Sequence, residues 1–186
     1  WFLDWELRGE KSIPNYPPID ATSEIVHWQE MMHYVDDSVG VCAGLSSFPL
    51  KPPYHLHNWP SIISTGAGLD LDEAGLQHLI RRTRTLVRAS NIRRGMRRAD
   101  DKPPDDHWKH RFPDLEAKLL DAYYAFKGWN RDGIPTCATL RALGLDFVAD
   151  EFLERGILTE EEDGAVPAAV NAAGASDGAA SPGGAA

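Results

Sequence analysis

Asp37, Gly40 and Cys42 stand within six residues, in Asp37-Ser38-Val39-Gly40-Val41-Cys42, and their types support a specific chemistry. A carboxylate can accept two or more hydrogen bonds from an amino-heterocycle. A glycine lets the backbone turn tightly or approach a ligand closely, and a cysteine thiolate is a soft metal ligand. The same stretch also reads as a helix C-terminus followed by a glycine turn, with Cys42 a small buried side chain. Spacing alone leaves both readings open.

Four histidines, His27, His33, His55 and His57, fall in the first third of the chain. His55 and His57 would place both rings on one side of an extended segment, as a metal pair would require, but no third ligand stands at useful spacing. His33, His55 and His57 are the candidates for a proton donor near a substrate, since imidazole titrates near neutrality. The alternative is solvated or core-satisfied rings. Eight arginines lie between Arg81 and Arg98. Arg81, Arg84 and Arg88 share one side of a helix, which reads as a solvated face paired with carboxylates, or else as a surface for a pterin phosphate, coenzyme A or an acidic electron-transfer subunit. Cys137 follows the helix cap Thr136, whose dipole could lower a thiol pKa, or it is a small packed side chain. Trp28, Trp59, Trp108 and Trp129 read as packing residues, with Trp59 or Trp108 the candidates for an aromatic substrate pocket.

The whole chain bounds these options. It has 186 residues and a formal net charge of −9, which argues against nucleic acid as a main partner. No apolar run approaches a membrane span, and no secretory signal is visible within the sequence, whose first ten residues mix apolar and charged side chains. Two cysteines 95 positions apart form no disulfide framework and fit a reducing cytoplasm. With no Cys-x-x-Cys pair, the chain cannot hold an iron–sulfur cluster or a zinc ion by its own thiolates. A chain starting Trp1-Phe2-Leu3-Asp4-Trp5 reads as a piece of a longer protein.

The elements that must position these residues are mainly helical. Residues 1–19, ending in Pro14-Asn15-Tyr16-Pro17-Pro18, read as an extended connection. Thr22 or Ser23 offers an N-cap for a helix running to about Tyr34, with Ile25, Trp28, Met32 and Val35 as its buried stripe. Residues 36–68, rich in glycine and proline, read as a long loop, and such loops are more often functional than idle. Asp70 or Asp72 opens the clearest helix, with Leu76, Leu79, Ile80, Thr83 and Val87 inward and Gly95 near or beyond its end. A second long helix follows Pro113-Asp114, with Leu115, Leu119, Ala122, Tyr123 and Phe126 as its stripe and Gly128 at C′. Thr136 caps a short helix closed by Gly144, and Asp146 can cap another reaching Arg155. No segment alternates like a strand, so residues 20–158 read as one mainly α domain. Residues 159–186, an Ala/Gly-rich tail, have too little apolar surface to offset ordering entropy and read as disordered.

The Asp-x-x-Gly-x-Cys motif resembles the carboxy-terminal motif of the aldehyde:ferredoxin oxidoreductase family. The segments after it resemble that family in the same order: Thr65-Gly66, the helix with Arg84, Arg88 and Asn91, Arg93-Arg94-Gly95, and Arg98-Ala99-Asp100-Asp101. Tyr123-Tyr124-Ala125-Phe126-Lys127-Gly128-Trp129-Asn130, Gly133-Ile134-Pro135-Thr136 and Leu143-Gly144-Leu145 follow. Pro103-Pro104 stands where relatives have Leu-Pro. The resemblance covers roughly residues 20–158. A narrower likeness, to the catalytic subunit of class II benzoyl-coenzyme A reductases, rests on residues 16–22, 27–34, 49–55 and 103–108.

The resemblance implies roles and a fold, the family's C-terminal helical domain. Cys42 would be the fourth ligand of a [4Fe-4S] cluster, the other three coming from an upstream Cys-x-x-Cys-x-x-x-Cys. Asp37 would hydrogen-bond one pyranopterin of a tungsten (or molybdenum) bis-pyranopterin, with the backbone at Gly40 and Val41 against the same ring system. The implied activity is reduction of an aromatic acyl-CoA thioester, or oxidation of an aldehyde with ferredoxin as acceptor. An iron–sulfur electron-transfer subunit or ferredoxin would be the partner, in an oligomeric, cytoplasmic enzyme of which this chain alone is inactive. The rival from another class is a non-catalytic helical docking module.

Overall fold

The computed structural model describes residues 19–42, 54–102 and 116–159, and every regular element in them is helical. The helices are α1 (Ile19–Val39), α2 (Tyr54–Ala67), α3 (Glu73–Arg93), α4 (Glu116–Lys127), α5 (Cys137–Ala142) and α6 (Asp146–Glu154), with a 3-10 turn, η1, at Arg98–Asp100. The one strand-like pairing among the described residues is an antiparallel bridge between Trp129 and Pro135. None of these helices is long and apolar enough to cross a membrane. The expected connection over 1–19, apart from Ile19 at the start of α1, and the expected tail over 159–186, apart from Thr159, lie outside the described residues.

α1 is longer than its predicted cap and end allow. It begins at Ile19, ahead of Thr22, and runs past Tyr34 to Val39. Ile25, Met31, Met32 and Val35 are buried, so the apolar stripe continues to the last turn and nothing halts the helix before Gly40. Asp37 therefore lies inside the helix, not after it.

The predicted loop over 36–68 contains a second helix as well, α2, with Pro60 in its interior. Proline removes one amide donor and crowds the preceding turn, which is why the stretch reads as irregular. Here Pro60 is buried, and its packing offsets the lost bond. His55 and His57 belong to this helix, so the segment that carries them is not the extended one expected.

α3 begins as predicted: Asp72 is the N-cap and accepts from Gly75 N at 2.7 Å. Its inner face is rotated from the predicted one. Leu76, Ile80, Thr85, Arg88, Ala89 and Ile92 are buried, while Leu79 and Val87 are exposed. Thr83 is exposed too. The apolar pattern misleads because Arg88 finds partners inside. In α4 the predicted stripe is half-buried at Leu119, Ala122, Tyr123 and Phe126, and Tyr124 is the buried residue. Leu115 lies outside the described residues. Thr136 caps α5 as expected, its hydroxyl accepting from Thr139 N. Asp146 is the first residue of α6 rather than its cap, a position held by Leu145, so its carboxylate acts on the helix dipole alone.

α1 packs on α3 and α4, α2 on α3, and α5 on α6. One core joins Met31, Val35, Leu76 and Ile80, with Trp28 and Trp59 against it. The other joins Ala89 and Ile92 of α3 to Leu140, Leu143, Leu145 and Phe152. Burying each such large side chain stabilises the fold by about 1.5–3 kcal/mol. Arg82 fastens α3 to the end of α5, donating to the carbonyls of Leu143 and Gly144 at 3.1 and 3.3 Å.

Candidate functional site

The end of α1 is a Schellman turn. Gly40 takes the C′ position with φ +74°, and Val41 N donates to Asp36 O at 2.9 Å. A side chain at that φ is strained, which explains the glycine of the motif. The turn carries the chain away from the helix so that Val41 and Cys42 stand clear of it, both exposed. Cys42 has a free thiol. The reading of Cys42 as a small buried residue therefore fails. Asp37 is exposed in the last turn while its neighbour Asp36 is fully buried. The structure thus brings Asp37, Gly40, Val41 and Cys42 to one exposed helix end. Of the three proton-donor candidates, His33 is exposed one turn before Asp37, and His55 and His57 lie on the backbone of α2.

Two turns before Asp37, about 10 Å along the helix, α1 presents Glu30 to a network that the sequence does not announce. Glu30 Oε1 accepts from Arg84 Nε at 3.0 Å and from the Tyr123 hydroxyl at 2.6 Å, and Oε2 accepts from Lys127 at 2.5 Å. Burial pushes the Glu30 carboxyl up, but Lys127, Arg84 and these hydrogen bonds outweigh it and hold it below the usual carboxylate range. Burial and the Glu30 charge push the Tyr123 hydroxyl well up. Burial brings the Lys127 ammonium down to about 8 even though Glu30 opposes the change.

His27, one turn before Glu30, is buried between two cationic side chains. Arg81 Nε donates to His27 Nε2 at 3.3 Å, and Lys127 Nζ lies 2.8 Å from Nδ1. A neutral imidazole has one acceptor nitrogen. Both nitrogens face a cationic donor, so the ring can accept from one of them, and which one depends on its tautomer. Burial first, then the charges of Lys127 and Arg81, hold the ring down to about 2. His27 is therefore a neutral packing and hydrogen-bonding group, edge-on to Phe126 at 5.2 Å between ring centroids.

A second buried charge fixes the loop after α4. Arg88 donates to Gly133 O at 2.8 Å and to both oxygens of Asp101, and the Tyr124 hydroxyl donates to Asp101 at 2.5 Å. Its guanidinium lies 4.8 Å from the Trp129 ring centre. The predicted solvated arginine face is thus corrected: Arg88 is 3% exposed, and Arg81 and Arg84 are half-buried. Glu30 and Lys127 were missed because each reads as a surface charge. The available signal was their place on faces that also carry buried apolar residues.

The family described as aldehyde ferredoxin oxidoreductase, domains 2 and 3, matches residues 1–145. Among solved structures, the chain is similar to one described as the active site complex BamBC of benzoyl coenzyme A reductase in complex with 1,5-dienoyl-CoA. The identity is 64% and the TM-score 0.75, over 85% of this chain and 24% of that one. The chain therefore spans about a quarter of that relative's length. No curated protein matches.

Proposed function

This chain belongs to the aldehyde ferredoxin oxidoreductase family, and we propose that it contributes Cys42 to a [4Fe-4S] cluster and Asp37 to a pyranopterin in a tungsten (or molybdenum) enzyme that reduces an aromatic acyl-CoA thioester. The observation that carries the reading is the exposed Cys42 thiol, two residues beyond the Gly40 turn, with Asp37 exposed in the last turn of the same helix. The donor set fits one corner of a cluster and no more. Among the described residues, no group of three His, Cys, Asp or Glu side chains could hold a metal ion, so the remaining ligands lie elsewhere in the enzyme.

When bound, the metal–pterin centre and the cluster supply electron transfer, and this chain's residues bind and orient them. Asp37 accepts hydrogen bonds from the amino groups of the pterin. The backbone at Gly40 and Val41, free of a Cβ at residue 40, lets the same ring system come close. Cys42, two residues on, links pterin and cluster through a short stretch of chain, and hydrogen bonds to its sulfur tune the cluster potential. The substrate class and a partner subunit are supported by the 64%-identical relative, described as a two-component complex holding a dienoyl-CoA. On this reading the partner is an iron–sulfur subunit or ferredoxin, and the 186-residue chain alone is inactive.

The test is Cys42→Ser in the complete enzyme, with iron content, cluster absorbance and turnover of an aromatic acyl-CoA as readouts. Loss of the cluster together with turnover is expected. A full cluster in the variant would remove Cys42 from the ligand set. Oxidation of an aldehyde by the wild-type enzyme without ring reduction would replace the substrate assignment.

A further inference from the structure

The pocket between α1, α3 and α4 carries more positive charge than its own carboxylate balances. His27, Arg81, Arg84, Thr85, Phe126 and Lys127 line it. Glu30 is bonded to Arg84 and Lys127. Arg81 has no carboxylate partner among the described residues. Its Nε is engaged by His27, and its Nη1 is buried with no hydrogen-bond partner among the described residues.

The charge count does not depend on the state of Lys127. With an ammonium there, three cations face one carboxylate. With a neutral amine, two do. His27 adds no charge, because its ring is wedged between two donors. Among the described residues a net excess of one to two positive charges remains, in a partly buried apolar setting. Leaving a buried charge uncompensated costs several kcal/mol, and an unmade arginine hydrogen bond adds to that. A water molecule would satisfy the Nη1 donor but not the charge.

We propose that this pocket binds a small oxyanion of the phosphate class, held by Arg81 Nη1 and flanked by Lys127 and Arg84. A phosphate group carries about −1.5 to −2 at neutral pH, which matches the excess, whereas a carboxylate covers only its lower end. Guanidinium donors suit its geometry. The pocket lies two turns along α1 from Asp37 and does not depend on the cofactor assignment.

The test titrates the purified protein with inorganic phosphate at constant ionic strength, by calorimetry and phosphorus NMR. One saturable site is expected, with no equivalent effect of chloride. Arg81→Gln should weaken binding by about tenfold or more. Arg93→Gln, at an exposed arginine paired with Glu151, should leave it unchanged. Phosphate should also protect Arg81 of the wild-type protein, and not Arg93, from phenylglyoxal, a readout that needs no variant to fold. Glycerol 3-phosphate supplies a second arm. Tighter binding than phosphate assigns the group to a larger phosphomonoester, and equal binding assigns the free ion. No saturable site in the wild type, equal affinity in Arg81→Gln, or unaltered modification of Arg81 would each overturn the proposal.

Discussion

Arg88 holds both carboxylate oxygens of Asp101, through Nη1 at 2.8 Å and Nη2 at 2.5 Å, and thereby ties the middle of α3 to the segment following η1. Arg88 is 3% exposed and Asp101 19%, so neither charge can turn to water if its partner is lost. Burial pushes the Asp101 carboxyl up, but the bonds from Arg88 and Tyr124 outweigh it and keep it below the usual range. Asp101→Asn should destabilise the protein by about 3–5 kcal/mol, the penalty for stranding a buried charge. Urea unfolding measures this, and a loss below 1 kcal/mol would show that Arg88 finds another counter-charge.

Gly133 and Gly40 both have positive φ, +73° and +74°, yet replacing them should not cost the same. A Cβ on Gly40 meets nothing within 4 Å, whereas one on Gly133 would run into Arg88 and Tyr124. Gly40→Ala should therefore cost only the left-handed strain, about 1–2 kcal/mol. Gly133→Ala should add an overpacking term of about 1–3 kcal/mol. Equal losses in thermal unfolding would contradict the crowding seen around Arg88.

The pH dependence of stability should carry the signature of His27. Its folded value, about 2, lies below the ordinary imidazole value of 6.5. Between these values the unfolded chain binds the proton and the folded chain does not. The contribution is therefore full above pH 6.5 and is lost as pH falls below it. Glu30, also depressed, loses its contribution as pH falls through its own folded value. Lys127, lowered from 10.5 to about 8, works in the alkaline window: stability gains from this group as pH rises from 8 to 10.5. His27→Gln should flatten the melting-temperature profile between pH 4 and 6.5. An unchanged slope there would mean that the ring is charged in the folded protein.

Local signals were legible in the sequence and long-range ones were not. Asp72, Thr136 and Gly128 act on amides within a few residues of themselves, so their cap roles follow from residue type and position. Gly40 belongs to the same group, although the helix it closes starts earlier and ends later than the stripe suggests. α2 stayed hidden because Pro60 marks a break in any local reading, and only burial of its ring makes the helix worthwhile. Glu30 meets Tyr123 and Lys127, which lie 93 and 97 residues away, and no periodicity links residues so far apart. The motif at Asp37 to Cys42 was singled out for a different reason, residue types and spacing that resemble a family pattern, and the structure adds that Asp37, Gly40, Val41 and Cys42 are exposed at a helix end.

Glu30 is the group on which the network between α1, α3 and α4 depends. Glu30→Gln keeps the shape and removes the charge, leaving Arg84 and Lys127 facing each other with side-chain exposures of 23% and 9%. The loss should be about 3–5 kcal/mol, as when one member of a buried ion pair is removed. Lys127 would then titrate still lower, since the Glu30 charge is what holds it up against burial. Adding Lys127→Met should recover part of the loss, because the methionine fills similar space without a stranded charge, and pairs in contact are not additive. The double-mutant cycle, read by urea unfolding, separates this from simple packing damage. If the two losses add, Glu30 and Lys127 stabilise the helices independently and the network is not one unit.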